Sequence, residues 1–341
     1  MKPVGETSTV EEYRDFGERQ SGDSPTFRDW ALGVADDAVV LDLLDALPPG
    51  KRQPNLVFAA ARWHGAEPVP YRSPAGLRGV LLDHWDRVRE TVLARATQTN
   101  EVGRCATLLP VLAGLPQPLA LLEVGASAGL TLYPDRYSYR YLSGCIADVV
   151  HPADGPSRVE LFCEVDGEPP MPHQPPEVVW RAGIDLNPLD VHDDDAMAWL
   201  RTLVWPEHDD RREQLAAAVE LVREDPPRLV RGDLVESLPA LVEQAPRDAT
   251  LVVFHSAVLA YLSPENRARF VDVVGDLPGH WISNEGPQVV ESIQAPEPPV
   301  SEPAGLTLDA PEPPSPDPFL LALDGRPVAW AHGHGRALWW F

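Results

Sequence analysis

The chain has 341 residues, with 28 Lys or Arg against 52 Asp or Glu, so its formal charge is −24 at pH 7. An excess of negative charge this large disfavours a nucleic-acid backbone or an anionic membrane surface as partner, and we expect a small-molecule substrate. The length exceeds that of a usual single domain and predicts more than one compact part, while the oligomeric state stays open.

The three cysteines, Cys105, Cys145 and Cys163, are irregularly spaced and include no C-x-x-C pair. They are too few for a disulfide framework and do not indicate a zinc site, so we expect no metal. The N-terminal residues contain no apolar signal core, and no run of about 18 apolar residues follows. We therefore expect a cytoplasmic protein that does not enter a membrane.

Residues 1–116 are predicted to form an all-helical cap subdomain, because apolar residues recur there at spacings of three and four. Asn100 is the expected N-cap of the last helix, and Glu101 and Arg104 would be neighbours on one face of it. This helix end either covers a ligand pocket or carries only a cap and a surface ion pair. The predicted helices cover 38–47, 55–63, 75–96 and 101–115.

Residues 117–341 change to short apolar runs separated by helical stretches, which is typical of a parallel sheet with crossover helices. An inserted hairpin is predicted at about 134–176, and a Pro-rich exposed loop at about 287–318. The chain closes with two strand-like runs around the hairpin signal Asp324-Gly325. The five expected strands are 118–125, 177–186, 227–233, 249–256 and 279–286.

The segment "LLEVGASAG" (121–129) allows two interpretations. As G-x-S-x-G it is a nucleophile elbow presenting Ser127, with Asp317 or Asp324 and His332 or His334 as triad partners. As E-x-G-x-x-x-G it is a cofactor turn that follows the first strand and opens a helix at Gly129. Because everything upstream looks helical, the cofactor turn is favoured.

At this point the chain resembles the class I S-adenosylmethionine-dependent methyltransferases. The matching stretches are "LLEVGASAG", "GIDLNP", "RLVRGD", "DATLVVFHSAVLAYLSPENRARFV" and "LPGHWISNEG". The resemblance implies an α/β fold with a seven-stranded Rossmann-like sheet, mostly parallel with an antiparallel C-terminal hairpin. It also implies S-adenosylmethionine as cofactor, whose sulfonium makes a nearby carboxylate such as Glu123 electrostatically favourable.

More narrowly, the whole chain is similar to a bacterial family of uncharacterised, methyltransferase-like proteins, domain of unknown function 2332. The stretches that carry this resemblance include "FRDWALGVADD", "PPGKRQPNLVFAAARW", "TQTNEVGR", "WRAGIDLNPLDV", "LVWPEH" and "VVFHSAVLAYL". It implies a fold and a cofactor, and no known reaction.

Two of the acids implied as cofactor ligands also have a purely structural interpretation. Asp185, the expected ribose ligand, could simply end a strand before Asn187-Pro188. Asp233, expected near the adenine, is equally suited to cap the following helix. The full set of implied cofactor-binding residues is Glu123, Gly125, Ser127, Gly129, Asp185, Gly232, Asp233 and His255.

The residues that end the fourth and fifth strands are the catalytic and substrate candidates, because the carboxyl ends of parallel strands form the rim of the site. His255 is the expected base and Glu285 a second catalytic residue, with Ser256 and Asn284 toward the substrate together with Asn100, Glu101 and Arg104. We expect methyl transfer to an O or N of a small molecule. A non-catalytic nucleoside- or partner-binding protein is the alternative, and a serine hydrolase the third possibility.

Overall fold

The computed structural model describes residues 8–294, 311–312, 314 and 318–341. None of the helices in these ranges is long and apolar enough to cross a lipid bilayer. The α-helices are α1 (Thr9–Asp15), α2 (Pro25–Ala35), α3 (Ala38–Asp45), α4 (Pro54–Trp63), α5 (Leu77–Ala94), α6 (Arg104–Ala113), α7 (Asp194–Leu203), α8 (Asp209–Arg223), α9 (Leu234–Val242), α10 (Pro264–Gly275) and α11 (Pro287–Gln294).

The described strands form one mixed sheet in the order β3-β2-β4-β11-β10-β9-β8-β7-β1-β5-β6. This confirms an α/β fold and all five expected parallel strands, but the sheet has eleven strands rather than seven. The strands are β1 (Leu119–Val124), β2 (Ser138–Ser143), β3 (Ile146–Val150), β4 (Glu160–Asp166), β5 (Val178–Asp185), β6 (Arg228–Arg231), β7 (Thr250–Ser256), β8 (His280–Glu285), β9 (Phe319–Leu323), β10 (Arg326–Ala331) and β11 (Ala337–Trp340).

The extra strands come from the predicted insertion and from the C-terminal segment. The hairpin β2–β3 and strand β4 extend the sheet, because β4 pairs in parallel with β11. Strands β9, β10 and β11 form an antiparallel series that starts beside β8, and Asp324-Gly325 makes the turn between the first two. The segment predicted as a Pro-rich loop begins instead with α11, whereas 295–310, 313 and 315–317 lie outside the described residues.

The contacts divide the chain into two compact units, Met1–Thr99 with Asp194–Glu213, and Asn100–Asp193 with Gln214–Phe341. The sequence placed the end of the helical part at 116, whereas the contacts assign Asn100 and helix α6 to the second unit. The first unit also takes in α7 and the first residues of α8.

The first unit is built around an aromatic cluster. The ring of Phe58 on α4 lies 5.0 Å from Phe27 and 5.6 Å from Trp30, both on α2, and 5.8 Å from Tyr13 on α1. Apolar residues at three- and four-residue spacing bring these rings to one side of each helix. Asp37 begins α3, its carboxylate accepting the backbone N–H groups of Val39 and Val40.

The second unit is built around β1, a central strand of which every residue is buried. It pairs in parallel with β5 on one side and β7 on the other. Successive side chains of a strand point to opposite faces. Leu122 and Val124 face α9 and α10, which defines the back face, while Glu123 points to the front face.

Asp37 is expected to stabilise the first unit in a pH-dependent way. Burial raises the pKa of this carboxyl, but hydrogen bonds from Arg78, the backbone of Val40 and Tyr71 outweigh burial and hold it below the usual 3.8. The stabilisation is therefore present above about pH 4 and is lost as the pH falls through the folded-state pKa. Asp37→Asn should lower the unfolding free energy by about 2 kcal/mol at neutral pH, measured by urea denaturation.

The neighbouring Asp36→Asn provides the matched control, because Asp36 is 74% exposed in its ion pair with Arg14. Loss of such a surface pair should change stability by only a few tenths of a kcal/mol. Equal losses in the two variants, or a loss in Asp37→Asn that does not shrink in acid, would contradict the assignment.

Candidate functional site

The parallel strands of the second unit run in the order β6-β5-β1-β7-β8, so the chain proceeds outward from β1 in both directions. In an open α/β sheet, ligands bind in the crevice at the carboxyl ends of the strands where this reversal occurs. That point lies between β1, which leads into Gly125, and β7, which ends at Ser256. The sequence candidates that end β1, β7 and β8 therefore lie at this end of the sheet.

The glycine turn has a left-handed backbone at three of its residues, with φ of 75° at Gly125, 50° at Ser127 and 71° at Gly129. The expected helix does not follow: after Gly129 the chain makes only a single 3₁₀ turn, Leu130–Leu132, and then continues to β2. The prediction that Gly129 opens a helix is wrong. An anion site at a helix N-terminus is therefore no basis for a ligand here.

The space beside the glycines is filled by the protein itself. A Cβ built on Gly125 would lie 2.3 Å from the Val258 side chain, and one on Gly129 would lie 2.7 Å from Pro227. Both glycines are therefore required by close packing, in addition to their positive φ. A ligand in this region would lie beside the turn, since Val258 and Pro227 already cover it.

Asp185 ends β5 and ties the glycine turn to the loop that follows it. One carboxylate oxygen accepts the backbone N–H of Ser127 at 2.8 Å, and the other accepts that of Asn187 at 2.7 Å. Each oxygen keeps a second lone pair, so the carboxylate retains acceptor capacity for a hydroxyl.

Asp233 and Gly232 have structural roles after β6. Asp233 is the N-cap of α9, because its carboxylate accepts the N–H groups of Val235 at 2.9 Å and Glu236 at 3.2 Å. A Cβ on Gly232 would lie 2.1 Å from Oγ of Ser237. Asp233 therefore has the helix-capping role that the sequence analysis gave as its structural interpretation.

Glu123 is a buried acid on the front face of β1. It accepts a hydrogen bond from Oγ1 of Thr131, yet its Oε2 has no partner among the described residues. Burial raises its pKa to about 8, although the Thr131 hydrogen bond and the charge of Arg104 act in the opposite direction. A buried polar atom without a partner costs free energy, so this carboxyl is a candidate ligand contact.

Polar groups at the ends of β7 and β8 lie on the same face. Arg104 donates from Nη1 to the Ser256 carbonyl at 3.1 Å, and Asn284 donates from Nδ2 to Oγ of Ser256 at 2.8 Å. Oδ1 of Asn284 and Oγ of Ser127 are buried, with no hydrogen-bond partner in the described part of the chain. We call Arg104, Glu123, Ser127, Ser256 and Asn284 the front polar cluster.

Asn100 holds the glycine turn rather than capping a helix. Its side chain accepts the N–H of Leu130 at 3.1 Å and donates to the carbonyl of Ala126 at 3.5 Å. Helix α6 begins only at Arg104, with no side-chain cap, so the N-cap prediction for Asn100 is wrong. Glu101 likewise precedes the helix instead of sharing a face with Arg104.

His255 lies on the back face, away from the front polar cluster. The side chain is 0% exposed, and its ring packs against Phe270 at a centroid distance of 5.4 Å. The indole N–H of Trp281 points to Nε2 at 3.0 Å, and Nδ1 lies 2.7 Å from Oε1 of Glu285. Because an indole only donates, Nε2 accepts, and Nδ1 carries the proton toward Glu285. The expected base thus has both ring nitrogens engaged inside the protein.

Glu285 positions the loop that covers the glycine turn. Its Oε1 also accepts the N–H groups of Val258 at 2.9 Å and Leu259 at 3.1 Å. Burial raises its pKa, but the hydrogen bonds from His255 and from these two backbone groups outweigh burial and lower it. The carboxylate therefore holds Val258 over Gly125, which is a positioning role, while its Oε2 has no partner among the described residues.

A cleft of about 270 Å³ opens between the glycine turn, the loop after β5 and the segment that enters β6. Its lining is mainly apolar and includes Ala128, Leu189, Pro227 and Leu229, with Asp190 at its polar side. The volume is near the lower end of small-molecule pockets.

Three residues that the sequence did not single out belong to this site. Thr131 donates a hydrogen bond to Glu123, and Trp281 donates one to Nε2 of His255. The side chain of Val258 covers Gly125. No local pattern marks them, because each reaches its partner through strand pairing or a loop rather than through fixed spacing. Only Trp281, four residues before Glu285 in a strand, shares a face with it by period-two alternation.

A family model described as "Uncharacterized protein conserved in bacteria (DUF2332)" matches residues 10–340. The chain belongs to the DUF2332 family. No curated protein and no solved structure matches it. The match therefore establishes the family of this DUF2332 protein. Its function has to be argued from the geometry of the site.

Gly125→Ala tests whether protein packing explains the first glycine of the turn. The substitution should destabilise the protein by about 3 kcal/mol in urea denaturation, because it adds a Cβ against Val258 to a positive-φ strain. Gly144→Ala is the control, since Gly144 has φ of 58° and open space around it. It should cost about 1 kcal/mol.

The double variant Gly125→Ala, Val258→Ala should recover part of the loss, since the two side chains contact each other. Strictly additive effects, or equal costs at Gly125 and Gly144, would show that Val258 does not constrain the turn.

Proposed function

We propose that the second unit binds a small zwitterionic or cationic molecule at the carboxyl ends of β1 and β7, with S-adenosylmethionine as the first candidate. The observation that carries this proposal is Glu123, a buried carboxyl with an oxygen that no described residue satisfies, at the point where the strand order reverses. A cation beside Glu123 would favour the ionised carboxylate and offset its burial. On this basis the chain acts as a methyltransferase on an O or N of a small molecule.

The residues present fit this cofactor in three places. Glu123 would take its positively charged end, and the acceptor Oδ1 of Asn284 lies on the same face. The apolar cleft beside Ala128 and Leu189 suits a nucleobase, and Asp185 at the end of β5 keeps acceptor capacity for ribose hydroxyls. On this proposal the nucleoside would lie beside the glycine turn, because Val258 and Pro227 fill the space over it.

The front polar cluster would act by binding and orienting. S-adenosylmethionine, when bound, supplies a methyl group activated by a sulfonium. Glu123 would neutralise positive charge from a buried position, where a single carboxylate has a larger effect than in solvent. Arg104 donates to the carbonyls of Ser256 and Gly333 and so keeps the ends of β7 and β10 in place. Its positive charge would attract a negatively charged group of the ligand. Holding two reactants together in this way supplies much of the acceleration in a transfer reaction.

A non-catalytic binding protein of the same fold is the second candidate. The buried, doubly bonded ring of His255 favours it, because the base expected from the sequence has no lone pair available in this arrangement. This candidate shares the ligand and lacks the transfer step. Binding experiments therefore test both, and product formation separates them.

Proton release is the expected signature of binding at Glu123. Because its pKa is about 8, the carboxyl is mostly protonated at pH 7 and must ionise to pair with a cation. Isothermal titration in buffers of different ionisation enthalpy should show about one proton released per S-adenosylmethionine bound. Affinity should rise by roughly tenfold per pH unit up to about pH 8 and level off above it.

Glu123→Gln removes the titrating group, so binding should weaken on the order of a hundredfold and lose its pH dependence. The variant should be as stable as the parent or more so at pH 7, because an amide has no cost of ionisation inside the protein. Glu164→Gln, at an exposed position of β4, is the control and should leave binding unchanged. Absence of heat with both S-adenosylmethionine and S-adenosylhomocysteine on folded protein would overturn the cofactor proposal. Binding without proton release would exclude Glu123 as the contact.

The hydrolase alternative requires a base within hydrogen-bond reach of Ser127. The Oγ of Ser127 is buried and has no partner among the described residues, and Asp324 is engaged with His280 and the N–H of Trp281. Asp317, the other predicted acid, lies outside the described residues. Ser127 shares with a nucleophile elbow the G-x-S-x-G motif, the preceding strand and a positive φ, but not a base that contacts it.

A fluorophosphonate probe should therefore leave Ser127 unlabelled under conditions that label a serine hydrolase mixed into the same sample. Labelling that disappears in Ser127→Ala, as located by peptide mass spectrometry, would establish the hydrolase instead.

A further inference from the structure

The polar groups at the carboxyl edge of the parallel strands follow the strand order, β6-β5-β1-β7-β8. The apolar cleft is lined by segments next to β5 and β6, and Asp185 ends β5. Glu123 belongs to β1 and Asn284 to β8. Neighbouring strands lie about 4.8 Å apart, so β8 is about 10 Å from β1. Asn284 therefore lies on the side of Glu123 that is remote from the cleft.

The side-chain amide of Asn284 has one engaged end and one unsatisfied end. The residue is 0% exposed, and its Nδ2 donates to Oγ of Ser256 at 2.8 Å. Its Oδ1 has no hydrogen-bond partner among the described residues. An amide oxygen only accepts, and a buried acceptor without a partner costs free energy. Because Ser256 is partly exposed, the amide lies just beneath the surface, and a donor group arriving there would satisfy it.

The two unsatisfied acceptors of the front polar cluster differ in charge. Oε2 of Glu123 belongs to a carboxyl that is negative when ionised, whereas Oδ1 of Asn284 belongs to a neutral amide. A carboxylate favours the charged form of a group beside it, and an amide has no net charge with which to do so. Glu123 therefore suits a cation, and Asn284 suits an N–H group that is to remain neutral.

A neutral acceptor is the partner that a reacting amine requires. An ammonium group has no lone pair on nitrogen, so an amine can be methylated only in its neutral form. An alcohol could also donate to Asn284, but its proton must leave oxygen during transfer, and an amide oxygen is too weak a base to take it. Both ring nitrogens of His255, the base expected from the sequence, are already engaged on the back face.

We propose that Asn284 selects an amine as the methyl-accepting substrate, by accepting one of its N–H bonds. The inference rests on the proposed function and narrows the acceptor atom from O or N to N. In the transfer, the nitrogen lone pair forms the bond to the methyl carbon, and the electron pair of the broken C–S bond goes to sulfur. The methylammonium product then releases one proton to water, so the step requires no protein base.

The first test measures binding without S-adenosylmethionine. Saturation-transfer NMR compares benzylamine with benzyl alcohol, and butylamine with butanol, in about 0.3 M salt to screen the negative surface. The amines should bind roughly tenfold more tightly than the alcohols, because they donate charge-assisted hydrogen bonds. Asn284→Leu should abolish this preference, and Asn284→Asp should strengthen amine binding roughly tenfold.

Asn266→Leu, on α10 of the back face, is the matched control and should leave the preference unchanged. Ser256→Ala keeps the buried Asn284 and removes only the hydroxyl that orients it, so the preference should fall roughly fivefold even if Asn284→Leu does not fold. Equal binding of amines and alcohols by the parent, no amine binding, or a preference that persists in both site variants would overturn the proposal.

The second test locates the bound amine. The side-chain amide signal of Asn284 in nitrogen-15-labelled protein, assigned with Asn284→Asp, should shift when benzylamine is added and stay in place with benzyl alcohol. An unchanged signal under saturating benzylamine would refute the contact.

The third test adds S-adenosylmethionine and detects methylated probes by mass spectrometry. The amines should be methylated and the alcohols not. Asn284→Asp should lower the KM for the amine and also lower kcat by roughly tenfold, because the added carboxylate favours the unreactive ammonium. A merely structural role would not separate the two constants in this way. Methylation of the alcohols, or no methylation of bound amines, would reject the acceptor role.

These outcomes separate the inference from the proposed function. Amine binding at Asn284 with no heat from S-adenosylmethionine would contradict the cofactor and leave an amine site. Binding of S-adenosylmethionine by a protein that does not distinguish amines from alcohols would retain the cofactor and reject the selection by Asn284.

Discussion

The arrangement of the site depends on one carboxylate oxygen, Oε1 of Glu285, which accepts hydrogen bonds from His255, Val258 and Leu259. This contact joins the ends of β7 and β8 to the loop that leads from β7 to α10. Through Val258 it also presses that loop onto Gly125, so the left-handed start of the glycine turn is fixed from above. Asp185 and Asn100 fix the same turn from two other sides.

Two buried glutamates on nearby strands illustrate how environment decides role. Glu285 is surrounded by donors, and these lower its pKa against the effect of burial. Glu123 has one hydroxyl donor and an unsatisfied oxygen, and burial raises its pKa to about 8. Both carboxylates have an Oε2 without a partner among the described residues, but the first is held ionised by three donors on its Oε1 and organises structure. The second has a single hydroxyl donor, and our proposal is that a cationic ligand pairs with it.

The sequence was most informative about elements and least informative about partners. Five strands and the helices from α3 to α6 fall where apolar periodicity predicts them, because burial of an apolar face is encoded locally. The helix start at Asn100 and the helix after Gly129 are not realised, because both segments instead bond to each other through the Asn100 side chain. The sheet has more than the seven strands expected, because β4 pairs with β11 and so adds the inserted strands to it. These two strands are far apart in the sequence.

For the candidate site the division is similar. The sequence by itself determined an α/β fold, the parallel strands, the glycine turn and the edge of the sheet on which polar residues collect, because alternation and turn residues are local properties. Only the tertiary structure decided that His255 is sealed by Trp281 on the back face, that Val258 covers Gly125, and that Asn284 donates to Ser256. Each of these contacts joins residues far apart in the chain, and strand order and face, which no local pattern carries, bring them together.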